Sequence, residues 1–162
     1  FDIEKNRTLD TGSKLWDDLR TFDSYGRRAV REHDDRIQKY SQKHNVDPDM
    51  VRSVMYAENA RGHYLGANKA LDLVKKSDSA LPMNIQKNRW SGLVGKAPED
   101  MYDADTNVEA GAVLIRRISD RIDNPDPEKV GSVWNSIGKD KTSEFGEYVG
   151  RVYREKPWRR VE

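Results

Sequence analysis

Glu58 is the residue of this sequence best placed to move a proton. In the run Met50-Val51-Arg52-Ser53-Val54-Met55-Tyr56-Ala57-Glu58 the apolar residues recur at helical spacing. At about 100° per residue, with Val54 as the reference, Met50 falls at about −40°, Val51 at about +60° and Glu58 at about +40°. The carboxyl is therefore expected to project from the apolar stripe, between Val51 and Val54. Burial disfavours the charged form of a carboxyl group, and an acid that keeps its proton can give it to a leaving group. Breaking a glycosidic bond needs such a donor. A plainer role stands beside this one. Arg61, three residues on, faces the same side and can simply pair with Glu58 near the helix end. Periodicity alone leaves both open.

Other chemistries find little support. His33, His44 and His63 show no metal-ligand spacing such as His-Glu-x-x-His. The chain has no Cys, which excludes a thiol nucleophile, Cys-ligated metal and a disulfide framework. There is no Gly-x-Ser-x-Gly elbow and no phosphate-binding glycine loop. Asn6-Arg7-Thr8 matches a glycosylation acceptor, a pattern common by chance. Neither a metal nor an organic cofactor is expected.

Helices must position Glu58, and the sequence marks them out. Leu15, Trp16, Leu19, Phe22, Ala29, Val30, Ile37 and Tyr40 suggest helix over residues 13–40, with a break expected at Gly26. Asp47 and Pro48 suit an N-cap and first helical position, and Gly62 suits a C-terminal stop. A short helix is expected over residues 68–76, then loop or short strand from Ser77 to Tyr102 around Pro82, Gly92, Gly95 and Pro98. Thr106 and Glu109 form a capping-box pattern before Val108, Ala112, Ile115, Ile118 and Ile122. Gly111 on that face would admit another helix closely. Asn124-Pro125-Asp126-Pro127 separates this helix from one running to Gly138, and a last helix is expected over residues 143–155. With 162 residues and no repeat, a mainly α-helical single domain follows.

Five short motifs add a resemblance. Val54-Met55-Tyr56-Ala57-Glu58-Asn59 resembles the helix-borne Glu-Ser motif of the lytic transglycosylases and goose-type lysozymes. Leu81-Pro82-Met83-Asn84-Ile85 is similar to their Gly-Leu-Met-Gln-Ile segment, and Asp105-Thr106-Asn107-Val108-Glu109-Ala110-Gly111 to their Asn-Ile-x-x-Gly helix start. Trp134-Asn135-Ser136-Ile137-Gly138 resembles their Tyr-Asn-x-Gly turn, and Tyr148-Val149-Gly150-Arg151-Val152 their closing Tyr-Val-x-x-Val helix. The motifs run in family order over residues 46–153, leaving residues 1–45 as an N-terminal helical region beside a lysozyme-like region, 46–162.

The resemblance implies a lysozyme-like helical domain with a substrate cleft, cutting the β-1,4 bond between MurNAc and GlcNAc in peptidoglycan. It implies Glu58 as catalytic acid and then base, and Met83 and Asn84 lining the cleft where an N-acetyl group binds. Asn135 would shape the groove, and Tyr148 would hydrogen-bond near Glu58 with Glu144 alongside. Asn59, Asn84 and Trp134 depart from the family's Ser, Gln and Tyr. Its substrate-contacting Ser has only Ser77 and Ser79 as candidates here. An inverting hydrolase needs a second carboxylate ~6.5–9.5 Å away, for which Asp78 and then Asp72 are the candidates. A transglycosylase needs only one acid, because the sugar's own 6-hydroxyl attacks. The sequence leaves that choice open.

Charge bears on partners. Lys and Arg number 29 against 28 Asp and Glu, for a net charge of +1, and mean hydropathy is −0.97. Low hydropathy with so small a net charge fits a folded domain with a heavily charged surface. Arg27, Arg28, Arg31 and Arg36 form one basic cluster, and Arg151, Arg154, Lys156, Arg159 and Arg160 another. Glu32, Asp34 and Asp35 interrupt the first, so solvated helix faces are expected rather than a nucleic-acid surface. Such clusters also suit anionic cell-wall polymers. No stretch reaches the ~18 apolar residues of a membrane span. The start Phe1-Asp2-Ile3 has neither an initiator Met nor a signal core, and reads as a processed or excised piece acting in the periplasm or cell wall. A phage lysin or a secreted antibacterial effector fits that setting, and an effector implies an immunity protein. A non-catalytic peptidoglycan-binding module and a basic helical nucleic-acid binder are the alternative readings.

Overall fold

The computed structural model describes residues 1–9, 13–65, 79–138 and 140–160. Its first helices are α1 (Ser13–Leu19), α2 (Asp23–Glu32) and α3 (Asp34–His44), with a 3₁₀ turn over Arg20–Phe22. They lead to α4 (Pro48–Leu65), which carries the longest run of consecutive buried residues among the described ones. Asp47 starts α4 as its residue types require: its carboxylate accepts the Asp49 N–H at 2.9 Å, and Pro48 follows where no donor is needed. Gly62 does not stop the helix, which continues to Leu65. The expected helix over 68–76 lies outside the described residues.

A two-stranded antiparallel hairpin follows, β1 (Ser79–Ala80) with β2 (Ile85–Gln86), in the register Ser79 with Gln86 and Ala80 with Ile85. One turn of helix, α5 (Lys87–Trp90), and 3₁₀ turns over Ser91–Val94 and Pro98–Tyr102 lead to α6 (Ala104–Arg121). The cap of α6 is Asp103, whose carboxylate accepts the Thr106 N–H at 3.1 Å, and not Thr106 as the capping-box pattern suggests. Glu109 is engaged elsewhere, with Lys43 and His44 of α3. Asp126 then caps α7 (Pro127–Asn135), and Ser143 caps α8 (Glu144–Glu155), each by accepting a backbone N–H three residues on.

The domain is mainly helical, and α4 is its axis. Helices α2, α3 and α8 pack on it, α3 also packs on α6, and α7 packs on α8. The N-terminal helices, expected as a helical region over 1–45 within one compact domain, cover the core of the remainder. From Ser53 to Ala60 every residue of α4 is buried, so no side of that stretch faces solvent. Gly26 lies within α2, where it permits rather than breaks: a Cβ there would meet the Tyr56 ring at 2.8 Å. The break comes at His33 instead. Among the described residues no helix is long and apolar enough to cross a membrane.

Candidate active site

Burial of Glu58 follows from the central position of α4, and its side chain is 2% exposed. A buried carboxylate needs partners, and three residues supply them. Arg61, one turn further along α4, places Nη2 2.9 Å from Oε1 and 3.2 Å from Oε2. Asn84 donates its amide N–H to Oε2 at 2.8 Å, and the Trp134 indole donates to Oε1 at 3.2 Å. The sequence left open whether Glu58 joins a site or pairs with Arg61; the structure has it paired with Arg61 at the wall of a cleft.

Each donor depends on local structure. Asn84 closes the β1–β2 turn with a left-handed backbone (φ 57°), a conformation Asn adopts more readily than most residues. Trp134 sits in the last turn of α7, one residue before Asn135. The Arg61 guanidinium lies 3.9 Å from the centroid of the Phe145 ring of α8, and its Nη1 donates to the Asn135 side-chain oxygen at 2.7 Å.

These residues border a cleft of about 290 Å³. Its walls come from α4 (Glu58, Arg61), the hairpin (Ser79, Asn84, Ile85, Gln86), α5 (Arg89, Trp90), Leu114 of α6, and the end of α7 with the turn after it (Trp134 to Ile137). Amides, two indoles and an acid are the groups that hydrogen-bond hydroxyls and stack on sugar rings. Glu58 is the single acid among the described residues lining it. No group of three or more potential metal ligands occurs among the described residues.

The expected site residues divide. Glu58, Asn84 and Asn135 meet at the cleft, as does Ser79, the second of the candidate serines. Met83 does not: its side chain is fully buried against α6, where a Cβ at Gly111 would approach it to 2.8 Å. The close approach read from Gly111 is thus that of a hairpin methionine, not of another helix. Tyr148 is also a correction. Its buried hydroxyl makes no hydrogen bond among the described residues, and the donors to Glu58 are Arg61, Asn84 and Trp134. Burial pushes the Tyr148 phenol above its ordinary range, and the Asp23 charge adds to the shift. Glu144 is exposed in the first turn of α8 and does not line the cleft. Asp72, Asp78 and Ser77 lie outside the described residues.

Two supporting residues escaped a functional reading of the sequence. Arg61 was visible only as a rival partner for Glu58, and its link to Asn135 spans 74 positions. Asn107 is fully buried and holds the hairpin to α6. It accepts the Met83 N–H at 2.9 Å and donates to the carbonyls of Ala80 (2.8 Å) and Met101 (2.9 Å). Its signal in the sequence was its place as the Asn of the Asn-x-x-x-Gly helix start ending at Gly111, to which no role was attached.

Comparisons of the chain with family models, with curated proteins and with solved structures return no match.

Proposed function

We propose that this domain cleaves the β-1,4 bond after MurNAc in peptidoglycan, with Glu58 as general acid and then base. One observation carries the reading: a buried carboxylate stands at the wall of a cleft whose other groups suit a saccharide. Three of the sequence motifs that resemble those of lytic transglycosylases and goose-type lysozymes contribute to that cleft, through Glu58, Asn84, and Trp134 with Asn135. In the reaction Glu58 passes its proton to the bridging oxygen. The C1–O bond then breaks with its electron pair going to that oxygen, leaving an oxocarbenium-like centre. Water or the sugar's 6-hydroxyl adds to that centre, and its proton returns to the Glu58 carboxylate. A lysozyme-like fold, action in the periplasm or cell wall, and delivery by secretion or phage lysis complete the reading.

A second reading has its own observation. Among the described residues every hydrogen-bond partner of Glu58 is a donor, which suits a carboxylate that accepts hydrogen bonds from ligand hydroxyls without giving up a proton. The domain would then bind peptidoglycan and leave it intact. One experiment separates the two: purified wild-type and Glu58→Gln protein are incubated with insoluble peptidoglycan, and released muropeptides are analysed by mass spectrometry. Release by the wild type alone supports cleavage, with anhydro ends marking a transglycosylase and reducing ends a lysozyme. Retention on the pellet with no release supports the binding module. Full release by Glu58→Gln overturns the proposed mechanism.

A further inference from the structure

The clearest unassigned feature of the cleft is the way Arg61 is held. We propose that Arg61 is a positioning residue, fixing the orientation of the Glu58 carboxylate toward the cleft; this rests on the function proposed above.

A glutamate carboxylate turns easily about its last torsion, because rotation about an sp³–sp² bond is broad and weakly hindered. Asn84 and Trp134 each grip one oxygen, Oε2 and Oε1, from the hairpin and from α7. Among the described residues Arg61 Nη2 alone reaches both, at 2.9 and 3.2 Å, and so acts on the bisector of the carboxylate. The guanidinium is itself immobilised twice. One face rests on Phe145 at 3.9 Å, and Nη1 is spent on Asn135. A planar fork can make these contacts together, and an ammonium group cannot reproduce them. Arg61 therefore ties the proposed acid to Asn135, which borders the same cleft. Its side chain is 25% exposed and packs on the buried Phe145, so Arg61→Lys, which keeps the aliphatic stem and the positive charge, is the milder of two replacements.

The test uses Arg61→Gln and Arg61→Lys in the whole chain. The first readout is kinetics on soluble peptidoglycan fragments. The second, independent of activity, is the Trp134 indole N–H resonance in a ¹⁵N-correlated spectrum, assigned with Trp134→Phe. Misplacing a catalytic group by about 1 Å can cost on the order of 10²-fold. Arg61→Gln should therefore lower kcat about 10–100-fold with KM little changed, and Arg61→Lys should recover part of the loss. Both variants should move the Trp134 indole resonance while near-ultraviolet circular dichroism shows that each stays folded, and Arg61→Gln, which leaves the buried Glu58 carboxylate without its cation, should also lower the unfolding midpoint more than Arg61→Lys does. If the wild type cleaves and Arg61→Gln affects KM alone or nothing, the positioning role is overturned and the function stands. If the wild type does not cleave, the function falls. Movement of the indole resonance in Arg61→Lys then still supports the role in placing Glu58, and a spectrum superposing on the wild type overturns it.

Discussion

The side-chain amide nitrogen of Asn84 stands 2.8 Å from Oε2 of Glu58, across 26 positions of sequence. A neutral donor in that place satisfies a buried carboxylate without adding charge, and its left-handed backbone turns the group inward. Replacing it with Asp tests the relationship. Asn84→Asp sets two carboxyl groups within hydrogen-bond distance, so one of them must hold its proton well above the usual carboxylate range. The variant should lose about 1–3 kcal/mol at neutral pH. A carboxyl whose folded pKa is raised contributes stability at low pH and loses it as pH rises. Unfolding curves of variant and wild type should therefore converge toward pH 4 and separate toward pH 8.

Glu58→Gln keeps the shape of the side chain and removes the titratable proton. General acid–base catalysis by one group contributes about 10²–10⁴-fold. Loss of turbidity in cell-wall suspensions should slow by that factor, with near-ultraviolet circular dichroism unchanged. Retained clearing by a folded variant would be incompatible with the proposed role.

Asn107→Ala should be the costliest of these changes for stability. It leaves the Met83 N–H and the carbonyls of Ala80 and Met101 without the partner they now have in a buried site. An orphaned buried group costs about 1–3 kcal/mol, so a loss of about 2–4 kcal/mol in denaturant unfolding is expected. Because the same bonds hold the hairpin that carries Asn84, activity should fall as well.

Acid sensitivity should involve Glu109. Partial burial pushes its carboxyl up, but Lys43 at 2.7 Å and His44 at 2.8 Å outweigh this and hold it below the ordinary value. A depressed carboxyl contributes stability above its unfolded pKa and loses it as pH falls through the folded one. Glu109→Gln should thus lower the thermal midpoint at pH 7 and make no difference at pH 2. A constant gap between the two proteins across that range would assign the effect to packing.

Sequence alone determined the local events. Asp47 with Pro48, and Asp126 with Pro127, start α4 and α7 because a short acceptor followed by a residue without an N–H satisfies a helix start within its own turn. Apolar spacing identified most of the core, including Val51, Val54, Val108, Ile115 and Val149. It also pointed to Glu58 as a buried acid, though for an incomplete reason. Helical spacing puts it on one stripe, whereas α4 over that stretch is enclosed on all sides.

Tertiary structure decided the rest. Whether a hairpin methionine or its neighbouring asparagine turns to the cleft depends on a backbone angle and on the space Gly111 leaves, so Met83 went to the core and Asn84 to Glu58. Tyr148 looks inward from α8 at helical spacing, but which buried group it faces is set by how α2 and α8 lie against α4. Arg61, Trp134 and Asn135 come together because packing brings the end of α7 beside α4, and no periodicity records a meeting between residues more than 70 positions apart. Local chemistry specifies the helices, the acid and its partner Arg61 one turn on; only packing brings Asn84 and Trp134 to it.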